Sequence, residues 1–370
     1  MNILLYFTFE YSLQSWKKSG TLDKELLFYR ELSRRHGIKY TFITYGDSSD
    51  ENIIDDDFFD VIPIYKYYKP SKSKLKRYIH SFLFPLKIKK MGIDFSIIKQ
   101  NQLQGSWASI ILSIITRKPL IVRTGYDVLT FTKFENKSKF KVYLYKLLTK
   151  ISIKYSNLYT VTSSVDKQYL LSNLTNTNKI KIRPNWVVLN NLENIKTSDS
   201  LVSVGRLERQ KNYSFLIDML SNSDLISDVY GTGTLEEELI EYADKKNTKI
   251  NFLGSINNNE ILSILDFSKF YITTSLYEGN PKTVLEAMSR GCVVFASKIP
   301  NHEELITHLE NGYLFDIKKI NIIDDIKKVM NDEKLLVKLS NNAVSRVRDN
   351  NSIELLLEYE VSDYNNLIVK

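Results

Sequence analysis

Two carboxylates stand eight positions apart in the stretch 275–291, Ser-Leu-Tyr-Glu-Gly-Asn-Pro-Lys-Thr-Val-Leu-Glu-Ala-Met-Ser-Arg-Gly: Glu278 and Glu286. Two cations, Arg206 and Lys211, stand five apart in Gly205-Arg206-Leu207-Glu208-Arg209-Gln210-Lys211-Asn212, so a bend brings both heads to one anion. An ionised carboxylate accepts hydrogen bonds from hydroxyls, each worth about 1.5–3 kcal/mol, and a pair of cations neutralises a diphosphate. Together these groups suit a polyhydroxylated ligand that carries phosphate. A lone helical glutamate is more often solvated, and a lone basic pair more often marks a surface turn. The order of features along the chain separates these residues from that reading.

The elements that must hold them are legible nearby. Ile272-Thr273-Thr274 ends an apolar, β-branched run, which predicts the end of a strand. Gly279 permits a sharp turn, Asn280 is a good N-cap, and Pro281 suits the first helical position. Leu285 and Met288 fall on one apolar face, and Gly291 closes the helix. Glu278 is then at a strand end and Glu286 on the second helical turn. The N–H groups of Lys282, Thr283 and Val284 point out of the helix start, where a phosphate is favoured. That effect is worth only about 0.3–1 kcal/mol, so a diphosphate needs the further cations Arg206 and Lys211. Residues 201–204, 228–230 and 250–253 read as strands running into Gly205, Gly231 and Gly254, where a missing Cβ lets backbone approach a ligand.

The order Val-Gly-Arg…Gln-Lys-Asn, Tyr-Gly-Thr-Gly, Phe-Leu-Gly, Ser-Leu-Tyr-Glu-Gly-Asn-Pro…Glu-Ala-Met-Ser-Arg-Gly, then Asn311-Gly312-Tyr313-Leu314-Phe315 resembles the nucleotide-sugar half of family 4 glycosyltransferases. The resemblance implies an α/β GT-B fold: two Rossmann-like domains whose parallel sheets face across a cleft. It implies a retaining hexosyltransferase. Gly205, Arg206, Lys211, Gly231, Asn280, Thr283, Val284 and Glu286 would bind the donor. Arg206 and Lys211 would hold its diphosphate and neutralise the leaving nucleotide, Glu286 would accept from the ribose hydroxyls, and Glu278 would face the sugar. The catalytic set implied is Glu278, Arg206 and Lys211, with Tyr126 or Asp127 orienting the sugar or acceptor. No cofactor and no metal are expected, the nucleotide sugar being a substrate.

The first half departs from the family pattern. Many relatives carry a glycine-rich turn after the first strand, where this chain has Thr8-Phe9-Glu10-Tyr11. Many carry a histidine where this chain has Tyr126. The four histidines, His36, His80, His302 and His308, read as structural.

At 370 residues the chain exceeds what one core usually supports. Alternating strand and helix patterns (3–7, 22–35, 40–44 and onward) predict parallel sheets with ligands at strand C-terminal ends. The domains expected are 1–187, which would bind acceptor, a linker 188–199, the donor domain 200–350, and a terminal helix 351–370 crossing back to the first domain. No window predicts a transmembrane helix, and the start reads as a strand rather than a secretion signal. The one cysteine, Cys292, sits in a buried strand pattern and suits a reducing cytoplasm.

Charge is divided unevenly. Residues 1–185 carry 31 Lys plus Arg against 15 Asp plus Glu, net +16, and residues 186–370 carry 20 against 28, net −8. Acid-free or nearly acid-free basic runs at 66–90 and 133–154 are interleaved with aromatics. They predict a peripheral anionic membrane contact on the inner face of the cell membrane, with a glycan or lipid-linked acceptor and no nucleic acid. Bacterial surface polysaccharide (lipopolysaccharide, capsule or O-antigen) is the pathway this favours. Three rivals stand beside it: a metal-dependent transferase using Asp55-Asp56-Asp57, a nucleotide-sugar epimerase, and a silent nucleotide-sugar binder.

Overall fold

The computed structural model describes residues 1–125, 138–189, 196–319 and 321–368. Tyr126, Asp127, Lys133 and Lys137 lie outside them. The chain divides into two compact units, Met1–Pro184 with Leu356–Lys370, and Asn185–Leu355.

In the first unit, apolar β-branched runs form seven strands: β1 (Asn2–Tyr6), β2 (Lys39–Thr44), β3 (Phe59–Pro63), β4 (Ile97–Gln100), β5 (Leu120–Arg123), β6 (Leu158–Val161) and β7 (Ile180–Ile182). They lie in the order β3-β2-β1-β4-β5-β6-β7, and every pair is parallel. The register sets Leu5 beside Phe42 on one side and Lys99 on the other. Helices sheath the sheet, as parallel strands buried on both faces require. The helix Leu22–His36 shows why its ends are sharp: Asp23 and Glu25 in the first turn, Arg34 and Arg35 in the last, and Gly37 at φ 62° after it. In the turn after β1, Glu10 takes a left-handed φ of 68°. Its carboxylate is held by Arg77 Nε at 2.6 Å.

The second unit has six parallel strands: β8 (Ser198–Val204), β9 (Ser227–Tyr230), β10 (Ile250–Phe252), β11 (Ser268–Thr273), β12 (Val293–Ser297) and β13 (Tyr313–Phe315). Their order is β10-β9-β8-β11-β12-β13. The chain leaves β8 toward one edge and returns at β11 to build toward the other. Ligands of such sheets bind where the order reverses, outside the strand C-termini. In this unit that point lies between β8 and β11. Cys292 packs just before β12, its Sγ 3.3 Å from the carbonyl of Leu265 and 3.2 Å from that of Ser268, and burial pushes its thiol up to about 11.

Three boundaries differ from the sequence reading. The units divide at Pro184/Asn185, not after residue 187, because Val187 pairs with the backbone of Asn351 and Ile353 inside the second unit. The strand β8 begins at Ser198, inside the expected linker. The terminal helix expected over 351–370 begins slightly later, at Ile353, and runs to Ile368, because the preceding helix Glu333–Asn351 ends at Ser352, whose extended backbone (φ −63°, ψ 146°) bridges to Val187.

Candidate functional site

The loops after β8 and β11 bring together most of the residues singled out in the sequence. Glu278 is buried, and its carboxylate is fully engaged by its own unit. Lys211 Nζ donates to one oxygen at 2.6 Å and Ser275 Oγ to the same oxygen at 2.7 Å, while Gln210 Nε2 donates to the other at 3.2 Å. Burial works to raise the Glu278 carboxyl, but the Lys211 ammonium and these hydrogen bonds outweigh it and hold the group below its ordinary value. It is an anion at neutral pH.

The Lys211 ammonium is therefore fixed in place by Glu278. Its stem crosses Gly205 so closely that a Cβ there would lie 2.8 Å from Lys211 Cε. Gly205 thus keeps the lysine within reach of Glu278. The turn that carries it is tied down at both ends: Thr274 Oγ1 donates to the Lys211 carbonyl at 2.8 Å, and Leu276 N–H donates to the Gln210 carbonyl at 2.9 Å. Arg206 is exposed, and among the described residues its guanidinium has no carboxylate partner. It is the cation open to an incoming anion.

Gly231 is shaped by a close backbone contact within the unit. At φ 145° its missing Cβ makes room for backbone, since a Cβ would sit 2.0 Å from the Gly205 carbonyl oxygen, and its N–H donates to Gly254 at 2.7 Å. This close approach sets the course of the loop after β8.

The helix after β11 starts one residue later than the sequence suggested. It runs Lys282–Ser289 with Pro281 as its N-cap, and Asn280 does not cap it. The Asn280 amide is drawn away by Asn185, whose N–H donates to Asn280 Oδ1 at 2.9 Å and whose Nδ2 donates to the Asn280 carbonyl at 2.7 Å. Leu285 N–H makes the bond to Pro281, so the Thr283 and Val284 amides precede the first intrahelical bond. Tyr271 on β11 fixes this start: its hydroxyl lies 2.9 Å from Thr283 Oγ1 and 3.4 Å from the Val204 carbonyl at the end of β8. Glu286 is buried on the second turn, with Asn258 Nδ2 donating to it at 3.1 Å from the helix Asn258–Phe267.

Several partners here escaped the sequence reading. Ser275, Gln210 and Asn258 carry no signal of their own, although the run of three asparagines before Glu260 marks the capped helix start from which Asn258 reaches Glu286. His302 is fully buried; its Nδ1 lies 2.7 Å from the Ser297 carbonyl, its Nε2 has no partner among the described residues, and burial pulls its ring down to about 4 despite the nearby Glu278 anion. It is a neutral structural imidazole, as the sequence suggested. Among the described residues no group of three or more His, Cys, Asp or Glu could hold a metal ion. In the acidic run 55–57, Asp56 is committed to Arg30 at 2.8 Å.

Residues 189–346, which contain the whole of this arrangement after Asn185, match the family model described as glycosyl transferases group 1. The second unit thus resembles a group 1 glycosyl transferase domain. Among curated relatives, the chain is 29% identical over 152 residues to the Escherichia coli UDP-Gal:alpha-D-GlcNAc-diphosphoundecaprenol alpha-1,3-galactosyltransferase, a match spanning 39% of each protein. Over a longer stretch it is 24% identical to the Staphylococcus aureus capsular polysaccharide biosynthesis glycosyltransferase CapH, covering 69% of this chain and 75% of that one. Among solved structures, sucrose-phosphate synthase from Thermosynechococcus elongatus superposes with a TM-score of 0.79 at 15% identity, covering 100% of both chains. The fold of the chain is therefore of GT-B type.

Proposed function

We propose that this protein is a retaining hexosyltransferase, of family 4 type, that moves a sugar from a nucleoside diphosphate to a glycan or lipid-linked acceptor in bacterial surface polysaccharide synthesis. The observation that carries the reading is the buried pair Lys211–Glu278, set beside the open helix start and the exposed Arg206 at the switch point between β8 and β11. A structural ion pair would not need an unpaired cation and unsatisfied amides next to it.

In this reading the diphosphate lies on the Thr283 and Val284 amides with Arg206 and Lys211 against it, and Glu286 accepts hydrogen bonds from the ribose. As the bond from the sugar carbon to phosphate oxygen breaks, its electron pair stays on the nucleotide, where the two cations and the helix start stabilise it. The acceptor hydroxyl attacks from the same face, so it stands beside the departing oxygen, which takes its proton. Glu278 holds Lys211 in place and presents its carboxylate edge to the sugar. With two cations and a helix start carrying the charge, the step needs no metal. The E. coli relative's name specifies a UDP-sugar donor and a diphosphoundecaprenol acceptor, which makes UDP-sugars the first donors to try.

Titration calorimetry with UDP tests the site. Arg206→Ala and Glu286→Ala are each expected to weaken binding about tenfold or more, on the order of 1.4 kcal/mol, with the circular dichroism of the parent retained. Parent-like affinity in both variants would remove the site assignment. UDP binding with no transfer to any membrane extract would instead make the protein a nucleotide-sugar binder.

A further inference from the structure

A helix that is apolar on both faces needs a partner on each. The helix Lys74–Lys90 is of this kind. Its inward face, with Phe84, Pro85 and Ile88, is buried in the core of the first unit. Its outward face carries Leu75, Ile79, Phe82, Leu83 and Leu86, which at these spacings form one stripe, and each is between 46% and 70% exposed. All charged residues of this helix are basic, and helical geometry sets Lys76 and Lys89 along the borders of the stripe and Lys90 at its C-terminal end. Among the described residues Phe82 stacks on Trp107, while Leu75, Ile79, Leu83 and Leu86 stay largely exposed.

The helix Lys139–Tyr155 repeats the pattern. Phe140, Tyr143, Leu144 and Leu147 are exposed at i, i+3, i+4 and i+7, and its charges are five lysines with no acid. The helix Ser106–Thr116 packs against both, so the two stripes belong to one helical layer. Beside the first stripe, Tyr68, Leu83, Leu86, Lys87, Lys90 and Met91 line a concavity of about 490 Å³ with an apolar wall and a cationic rim.

We propose that this layer docks on an anionic phospholipid surface, with the 74–90 stripe entering the interface, the bordering lysines meeting headgroup phosphates, and the concavity taking one lipid. Apolar insertion flanked by cations is the pattern of an interfacial helix. Charge argues against a second copy of this chain as the occupant, because lysine rims would then face lysine rims. The helix also holds the turn after β1: Arg77 binds Glu10, and Tyr78 stacks on Phe9 with ring centroids 4.5 Å apart. That turn stands at the β1/β4 switch point of the first sheet, where its ligands are expected. A docked surface therefore lies beside the place where a membrane-borne acceptor would enter. The docking goes beyond the proposed transfer and does not depend on it, since its residues are all in the first unit.

Vesicle sedimentation tests it on the full chain, comparing phosphatidylcholine vesicles with and without about 30% phosphatidylglycerol. The parent is expected to sediment only with the anionic vesicles, and less at about 0.5 M salt. Leu75→Gln with Ile79→Gln and Leu83→Gln, which keep helix propensity, should lower partitioning about tenfold or more. Lys76→Gln with Lys89→Gln and Lys90→Gln should lower it and weaken the salt dependence. UDP binding measured on the same preparations should be unchanged in all of them, which separates this proposal from the donor site. No sedimentation of the parent, parent-like sedimentation of the apolar variant, or a parent dimer that the apolar variant converts to monomer would each overturn the proposal.

Discussion

Buried His302 and Glu278 are close enough that each feels the other's charge, and both make the second unit sensitive to acid. The ring of His302 is held at about 4 against an ordinary 6.5. The unfolded chain therefore binds more protons between those values, and stability present above pH 6.5 is lost as pH falls toward 4. Glu278 is held below its ordinary 4.5, so its contribution is present above pH 4.5 and is lost on further acidification. The histidine share is on the order of 3 kcal/mol at most. The thermal midpoint of the second unit should fall from pH 6.5 to pH 4, and His302→Asn should flatten that slope. A parallel slope in the variant would show that the ring does not carry it. At this scale the sequence displayed the right groups but not their pairings. Glu278 and Lys211 could be named from their motifs, yet that they neutralise one another depends on two loops meeting 67 positions apart. Asn280 was misplaced as a cap because its partner, Asn185, lies 95 positions away.

The elements were more legible than their ends. Parallel strands buried on both faces announce themselves as apolar runs, and all of the strands read from the second half are present: β8, β9, β10, β11 and β12. What periodicity could not show is how the final helix is held. Lys99 on β4 is 1% exposed and pairs with Glu360 on the helix Ile353–Ile368, between the rings of Tyr29 and Tyr364. Arg183 grips Asp363 on the same helix with two bonds of 2.7 Å. A lysine inside Ile-Ile-Lys-Gln reads as a polar interruption of a strand, because only the folded chain supplies its carboxylate. Removing one partner leaves a buried charge uncompensated, which costs about 3–5 kcal/mol. Urea unfolding of Glu360→Gln should show a loss of that size in the first unit. Lys99→Met combined with Glu360→Leu should recover most of it, since an apolar pair of similar volume incurs no such desolvation. A single variant as stable as the parent would mean that the lysine sheds its proton instead.

At the scale of the molecule, the chain begins in the first unit, builds the second, and returns to the first with Leu356–Lys370. The last segment is thus continuous in sequence with one core and bound energetically to another. A chain ended after Leu355 loses Glu360, Asp363 and Tyr364 together, stranding Lys99 and uncovering Arg183, Tyr29 and Tyr40. Every residue of the candidate donor site remains, because Arg206, Lys211, Glu278 and Glu286 all belong to Asn185–Leu355. Scanning calorimetry of the truncated chain should therefore show the first unit unfolding at lower temperature. UDP at about a hundredfold excess over its dissociation constant should still stabilise the second unit by about 2.7 kcal/mol. Vesicle binding would weaken with the first unit, which carries the basic helices, while UDP binding would not. Loss of both together would mean that the two cores stand or fall as one, and that the donor site borrows its stability from the helix that closes the other unit.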